Sequence, residues 1–174
     1  MKILDPKEVL RQFGLYGAQD VADLGSGTGH FSIAAAERLE GGRLFAVDVE
    51  REMLNRLVDE AHRKGLINVH ALHGDMARLS GVPLGDASMD RAIATSVLFQ
   101  VDDRDAFVQE IKRIVKPGGK VLLVDWREDH SFGPHHTHKV APDAALALFS
   151  RHGFTKESDV DAGDLHYGMI LIRQ

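Results

Sequence analysis

The sequence predicts an α/β domain built on a mainly parallel sheet with helices on both faces, and three observations carry that expectation. Strand-like and helix-like patterns alternate along the 174 residues with short connections, the arrangement in which each crossover lays a helix on the sheet. The apolar run Val21-Ala22-Asp23-Leu24 breaks into Gly25-Ser26-Gly27-Thr28-Gly29 and resumes at His30-Phe31 as a helical pattern, which reads as strand, tight turn and helix start. Three consecutive strand candidates carry an acid at their ends, at Asp23, Asp48 and Asp75.

The opening segment, residues 5–19, carries one short helical pattern in Val9, Leu10 and Phe13. Strands are expected near 20–25, 43–48, 68–73, 89–94, 119–125, 154–160 and 166–173, and helices near 28–40, 50–65, 103–116 and 141–152. The glycine turn lets backbone approach a ligand closely and aims the N–H groups of the new helix at it. Its spacing is GxGxG, with His30 where the dinucleotide fingerprint has its third glycine. Arg43-Leu44-Phe45-Ala46-Val47-Asp48 is a short apolar strand ending in an acid about 20 residues beyond the turn, the position from which a carboxylate accepts hydrogen bonds from a ribose. The ligand is therefore expected to contain a nucleoside. Met53, Leu54, Leu57, Val58 and Ala61 support the second long helix, and Phe107, Ile111, Ile114 and Val115 the third. Pro117-Gly118-Gly119 is expected to end that third helix. Residues 127–140 have no clear period and follow the fifth strand, at the carboxyl edge of the sheet where open α/β folds bind ligands.

This length fits one domain, taken as residues 1–174, with no room for a second domain devoted to substrate. The formal charge of −5 and the lack of a long Lys/Arg run give no electrostatic footprint for nucleic acid or an anionic membrane. Met1-Lys2-Ile3-Leu4-Asp5-Pro6 turns polar at once, and no apolar run approaches the roughly 18 residues of a membrane span, so a cytoplasmic protein without membrane insertion is expected. With no cysteine, disulfides and thiolate chemistry are excluded.

In order along the chain, the glycine turn with Asp23, then Asp48, then Gly74-Asp75-Met76, then Met89-Asp90-Arg91-Ala92-Ile93-Ala94, then Lys116-Pro117-Gly118-Gly119-Lys120-Val121-Leu122-Leu123-Val124-Asp125 resemble the class I S-adenosylmethionine-dependent methyltransferases. Within that family the chain is similar to small-molecule methyltransferases related to the ubiquinone and menaquinone biosynthesis enzymes. The resemblance implies a Rossmann-like doubly wound sheet of seven strands in the order 3-2-1-4-5-7-6, the last antiparallel, in three α/β/α layers. It implies S-adenosyl-L-methionine as cofactor, S-adenosyl-L-homocysteine as product, and methyl transfer to carbon, oxygen or nitrogen of a small molecule. Residues 1–19 would cover the cofactor, and residues 127–140 would form a substrate-side loop. Gly25, Gly27 and Gly29 would pass beneath the methionine part of the cofactor, with Asp23 supporting the turn or the ammonium group. Asp48 would hold the ribose hydroxyls, Val49 would pack on the adenine, Asp75 would accept the adenine amino group beside Met76, and a carbonyl at Thr95 would meet the methionine ammonium. A homodimer is compatible with the sequence.

Each of these residues has a plainer alternative: a glycine turn without ligand, a solvated strand-end carboxylate at Asp48, an amide-capping turn residue at Asp75. The chain departs from its relatives at Phe99-Gln100, where they often carry a histidine pair, so no histidine base is expected there. Asp102, Asp103 and Asp105 read as an N-cap and first-turn charges. Candidate bases are Asp125, which is otherwise a cap, and His135, His136 and His138. The His-x-His spacing with His130 or Asp129 suits a metal, yet a substrate-facing loop without metal is the expected use. Trp126 is either a pocket wall or core. The competing functions are a non-catalytic protein that binds the adenosyl cofactor as a sensor or scaffold, and a nicotinamide-dependent oxidoreductase; His30 and the lack of a Tyr-x-x-x-Lys pair weigh against the latter.

Overall fold

A computed structural model describes residues 1–135 and 138–174. Helix α1 (Pro6–Phe13) starts where the Asp5 carboxylate accepts the Lys7 N–H at 2.9 Å and ends at Gly14 in the left-handed region, φ +68°. Strand β1 (Asp20–Leu24) leads through the glycine turn into α2 (His30–Ala36), followed by β2 (Arg43–Asp48), α3 (Arg51–Arg63) and β3 (Val69–His73). β4 (Met89–Thr95), α4 (Arg104–Ile114), β5 (Val115–Trp126), α5 (Pro142–Arg151), β6 (Phe154–Val160) and β7 (His166–Arg173) complete the chain. Asp103 caps α4 by accepting the Ala106 N–H at 2.9 Å, the N-cap role its spacing suggested.

Two boundaries differ from expectation. Helix α2 is shorter than residues 28–40 because Arg38 and Leu39 already make tightened bonds to Ala35 and Ala36, while the Asn68 amide donates to the carbonyls of Ala36 and Leu39 at 3.1 and 3.2 Å. Pro117-Gly118-Gly119 lies inside β5 and not at the end of α4. The helix stops at Ile114, Val115 already pairs with Met89, and a register shift before the Arg91–Lys120 pair absorbs the glycines.

The seven-stranded sheet runs β3-β2-β1-β4-β5-β7-β6, with β7 antiparallel to both neighbours and all other pairs parallel. Both faces are covered. Ala22, Leu24, Ala92 and Ala94 point into a core with Phe107 and Ile111 of α4 and Phe149 of α5, whereas Val21, Ile93 and Leu122 point into a second core with Val9, Leu10 and Phe13 of α1 and Phe31 of α2. Full burial on two faces is why these strands read as apolar runs without alternation. Connections leave β1 and β4 toward opposite sides, which opens a crevice at the carboxyl ends of the strands. Among the described residues, no helix is long and apolar enough to cross a membrane.

The connection from β3 to β4, residues 74–88, holds no helix and is pinned by α4. The Glu110 carboxylate is buried and accepts the N–H groups of Ser80 and Val82 at 2.8 and 3.0 Å while pairing with Arg113 at 2.7 Å. Arg113 in turn donates to the carbonyls of Val82 and Leu84. Burial pushes the Glu110 carboxyl up, but the Arg113 guanidinium and the two amides outweigh it and hold it below the ordinary carboxylate value. Its contribution is therefore present at neutral pH and lost as pH falls through that lowered value. Glu110→Ala is expected to reduce the unfolding free energy at pH 7 by about 3 kcal/mol, measured from the urea midpoint, because it leaves two amides without an acceptor and takes from Arg113 its buried ion partner.

Candidate active site

The crevice contains two cavity lobes that meet at the glycine turn. One, of about 480 Å³, is lined by Asp48, Val49, Met53, Asp75, Met76 and Val97 among others. The second, of about 450 Å³, is lined by Leu4, Pro6, Thr28, His30, Phe31, Thr95 and Ser96 among others. Gly25, Gly27 and Gln100 line both. A larger hollow of about 570 Å³ lies between the start of α1 and helices α2 and α3. Among its charged walls, Lys7 and Lys64 pair with Glu37 and Arg63 with Glu60.

The glycine turn is tied to the end of β2. The N–H groups of Gly25 and Ser26 both donate to the Val47 carbonyl at 2.9 and 3.1 Å, that of Gly27 to Asp48 Oδ2 at 2.8 Å, and that of Gly29 to the Ser26 carbonyl at 3.0 Å. These four N–H groups of the turn therefore already have protein acceptors. The glycines also differ in purpose. A Cβ at Gly25 would stand 2.8 Å from Val97 Cγ2 and one at Gly29 2.7 Å from Leu57 Cγ, so both exist for close packing. At Gly27, with φ +52°, a Cβ meets open space at the cavity.

Asp48 Oδ1 accepts the Glu50 N–H at 2.9 Å, so each carboxylate oxygen has one backbone partner and keeps further acceptor capacity toward the lobe. Val49 is 46% exposed, an apolar side chain standing open to the same lobe. Asp75 accepts the Ala77 N–H at 3.0 Å through Oδ1, the amide-capping arrangement, while still lining the cavity. Met76 is buried behind the turn. Thr95 lines the second lobe at the end of β4.

Asp23 lies beneath the turn, 1% exposed, and its Oδ2 accepts the Ser32 hydroxyl at 2.6 Å, which fixes the first turn of α2. Its Oδ1 is buried without a partner. Burial pushes its carboxyl up to about 7, against the hydrogen bonds from Ser32. Asp125 is fully buried and serves backbone amides of the turn after β4.

Among the described residues of the 127–140 loop, none lines either lobe. The loop packs on Trp126: a Cβ at Gly133 would lie 2.4 Å from Trp126 Cε3, and the Lys139 ammonium donates to the carbonyls of His130 and Phe132 at 2.7 and 2.8 Å. The rings of His135 and His138 meet edge-on at 6.4 Å, and His136 lies outside the described residues. Among the described residues, no three His, Asp or Glu side chains gather as a metal site. His30 and Gln100 line the lobes yet were not singled out as site residues in the sequence. Their signal was positional only, one residue past the last glycine and a few past the end of β4.

Residues 21–119 match a protein family described as a methyltransferase domain, a span of more than half the chain. The chain belongs to that methyltransferase-domain family. It is 34% identical over 110 residues to an arsenite methyltransferase of Aquipseudomonas alcaligenes, covering 60% of this chain and 32% of that protein. It is 28% identical over 128 residues to a demethylmenaquinone methyltransferase of Geobacillus stearothermophilus, covering 73% and 53%. The chain thus spans between about a third and a half of these curated relatives. A SAM dependent methyltransferase from Aquifex aeolicus superposes with a TM-score of 0.90 at 25% identity, over 99% of this chain and 91% of the other. The cavity of this methyltransferase domain fits S-adenosylmethionine: spare acceptor capacity at Asp48, the apolar Val49 beside it, and open space above Gly27 suit a nucleoside joined to a polar tail.

Two variants separate cavity from scaffold. Gly27→Val should abolish binding of S-adenosylhomocysteine in calorimetry while leaving the circular dichroism spectrum native, because the new side chain projects into the cavity. For Asp23, a folded value raised to about 7 means that the native state holds the proton more tightly, so its contribution to stability falls as pH rises from about 4 to 7 and is flat above. Asp23→Asn should then be more stable than the parent by about 2–4 kcal/mol at pH 8, with the gap closing toward pH 4 in denaturant titrations.

Proposed function

We propose that the chain transfers a methyl group from S-adenosylmethionine to carbon, oxygen or nitrogen of a small-molecule acceptor. The observation that carries this reading is the two-lobed cavity at the switch point of a methyltransferase-domain fold, with Asp48 at one lobe and the turn after β4 at the other. The cofactor supplies a methyl group on a sulfonium, already activated toward nucleophiles. The chain's own task is to align an acceptor and exclude water, for which no strong acid–base dyad is required. Asp48 would take the ribose hydroxyls, Val49 and Met76 the adenine face, Asp75 the amino group, and the Thr95 carbonyl the methionine ammonium.

The lobe beyond the glycine turn, enclosed by Leu4, Pro6, Phe31 and Gln100, falls within the size range of small-ligand sites, which supports a compact acceptor. His30 is the titratable side chain among its lining residues. Where the acceptor must lose a proton, we assign that proton to His30 in preference to His135, His138 or Asp125. The Thr28 hydroxyl sits 3.4 Å from His30 Nδ1 and helps set the ring. The named relatives act on arsenite and on a demethylmenaquinone; lacking cysteine, this chain has no thiolate with which to handle arsenite, which favours an organic acceptor. With a net charge of −5 and no basic tract, nucleic acid is a poor candidate, and a cytoplasmic setting is the simplest one for this chemistry.

Calorimetric titration with S-adenosylmethionine, S-adenosylhomocysteine and NADH tests this reading. Saturable one-site binding of both adenosyl ligands and none of NADH is expected, and binding of NADH alone would overturn it. Asp48→Ala should weaken S-adenosylhomocysteine binding by about 1–3 kcal/mol in the same titration; an unchanged dissociation constant would remove Asp48 from the site.

A further inference from the structure

Both lobes share one wall, the turn after β4. Thr95 and Ser96 line one lobe, Val97 and Val101 the other, and Gln100 both. This turn is held in an unfavourable shape. Ser96 has φ +53°, in the left-handed region that a non-glycine residue adopts only when its surroundings enforce it. Val97 also presses against the glycine turn at the one spot where a Cβ on Gly25 would collide with it.

The enforcing contacts converge on the end of β5. The Ser96 N–H donates to the Val124 carbonyl at 2.8 Å, and the next residue, Asp125, is fully buried. Its Oδ2 accepts the Leu98 N–H at 2.8 Å, its Oδ1 accepts the Trp126 N–H at 2.7 Å, and the Phe99 N–H is a further partner. The Leu98 carbonyl is occupied as well, accepting Arg104 Nε at 3.1 Å, and the Arg104 guanidinium reaches on to the His138 carbonyl at 3.3 Å. None of these contacts points into a lobe. They act on the backbone that carries the lobe's lining.

We infer that Asp125 is a positioning residue of the cofactor site: by accepting the amides of Leu98 and Phe99 it holds the turn after β4 in the strained shape that walls both lobes. This rests on the reading of the crevice as an S-adenosylmethionine site. An uncharged amide at this position cannot serve, since it offers one acceptor oxygen and turns an N–H donor toward a backbone donor. The charged and titratable groups facing Asp125 are Arg104 from α4 and, directly across the strand pair, Tyr167 of β7. Burial pushes the Asp125 carboxyl up to about 6, against the backbone amides and Arg104, so it is ionised at pH 7 and largely protonated at pH 5.

The test is S-adenosylhomocysteine calorimetry on the full chain and on Asp125→Asn, with Phe149→Leu as a control that loosens the core at α5, where Phe149 lines neither lobe. Asp125→Asn is expected to weaken binding about tenfold at pH 7, while Phe149→Leu binds like the parent despite its lower melting temperature. Equal affinity of the Asp125→Asn protein and the parent overturns the inference, and failure of the parent itself to bind overturns the cofactor reading instead. If the Asn variant does not fold, hydrogen exchange of the parent gives the answer. Peptides covering residues 95–101, corrected for intrinsic rates, should exchange faster at pH 5 than at pH 7. Equal protection at both pH values would overturn the inference.

Discussion

The end of β2 holds the glycine turn, and the rest of the crevice depends on that hold. Val47 and Asp48 together accept three successive N–H groups from Gly25, Ser26 and Gly27, so the turn is fastened to the neighbouring strand before any ligand arrives. Fixed backbone of this kind costs nothing to order at the moment of binding, which is the physical content of preorganisation. It also moves recognition elsewhere. Those three amides are committed to protein acceptors, and the lone pairs of Asp48 that they leave open face the lobe that the turn helps to wall.

The fold was legible where burial is local in sequence. β1, β2, β4 and the second half of β5 are apolar runs because the sheet is covered on both faces, whereas their order was legible only through the family resemblance. Legibility failed where a distant residue intervenes. Asn68 ends α2 from beyond the next helix, and the pairing of Val115 with Met89 draws Pro117-Gly118-Gly119 into a strand. Neither partner can be read from a window around the boundary. The same holds for the 127–140 loop, whose glycine and lysine fold it onto Trp126 through contacts that no periodicity announces.

In the site, an acid at the end of a strand was a sound signal for the crevice and a poor one for role. Asp48 and Asp75 line a lobe, while Asp23 and Asp125 lie behind it, under the turns. Depth along the strand separates these fates: Asp23 pairs with Ala46, two residues short of Asp48, and so lies beneath the turn and not at its rim. His30 and Gln100 read in the sequence only as departures from a fingerprint and from the relatives, because their place on the lobes follows from where the chain turns.

The buried acids differ again in what neutralises them. Glu110 has Arg113 at 2.7 Å and stays below the ordinary value, whereas Asp23 and Asp125 rely on hydroxyl and amide donors and rise well above it. A cation bonded directly to either of the latter, closer than Arg104 stands to Asp125, would have made a more stable scaffold. It would also have set a fixed positive charge under the crevice, against the sulfonium and ammonium that a methyl-donor cofactor brings there. Amides and a hydroxyl supply hydrogen bonds without net charge, so both supports can hold the turns without adding positive charge beneath the crevice. Stability at Asp23 and Asp125 is thereby traded for a floor that a cationic ligand can approach.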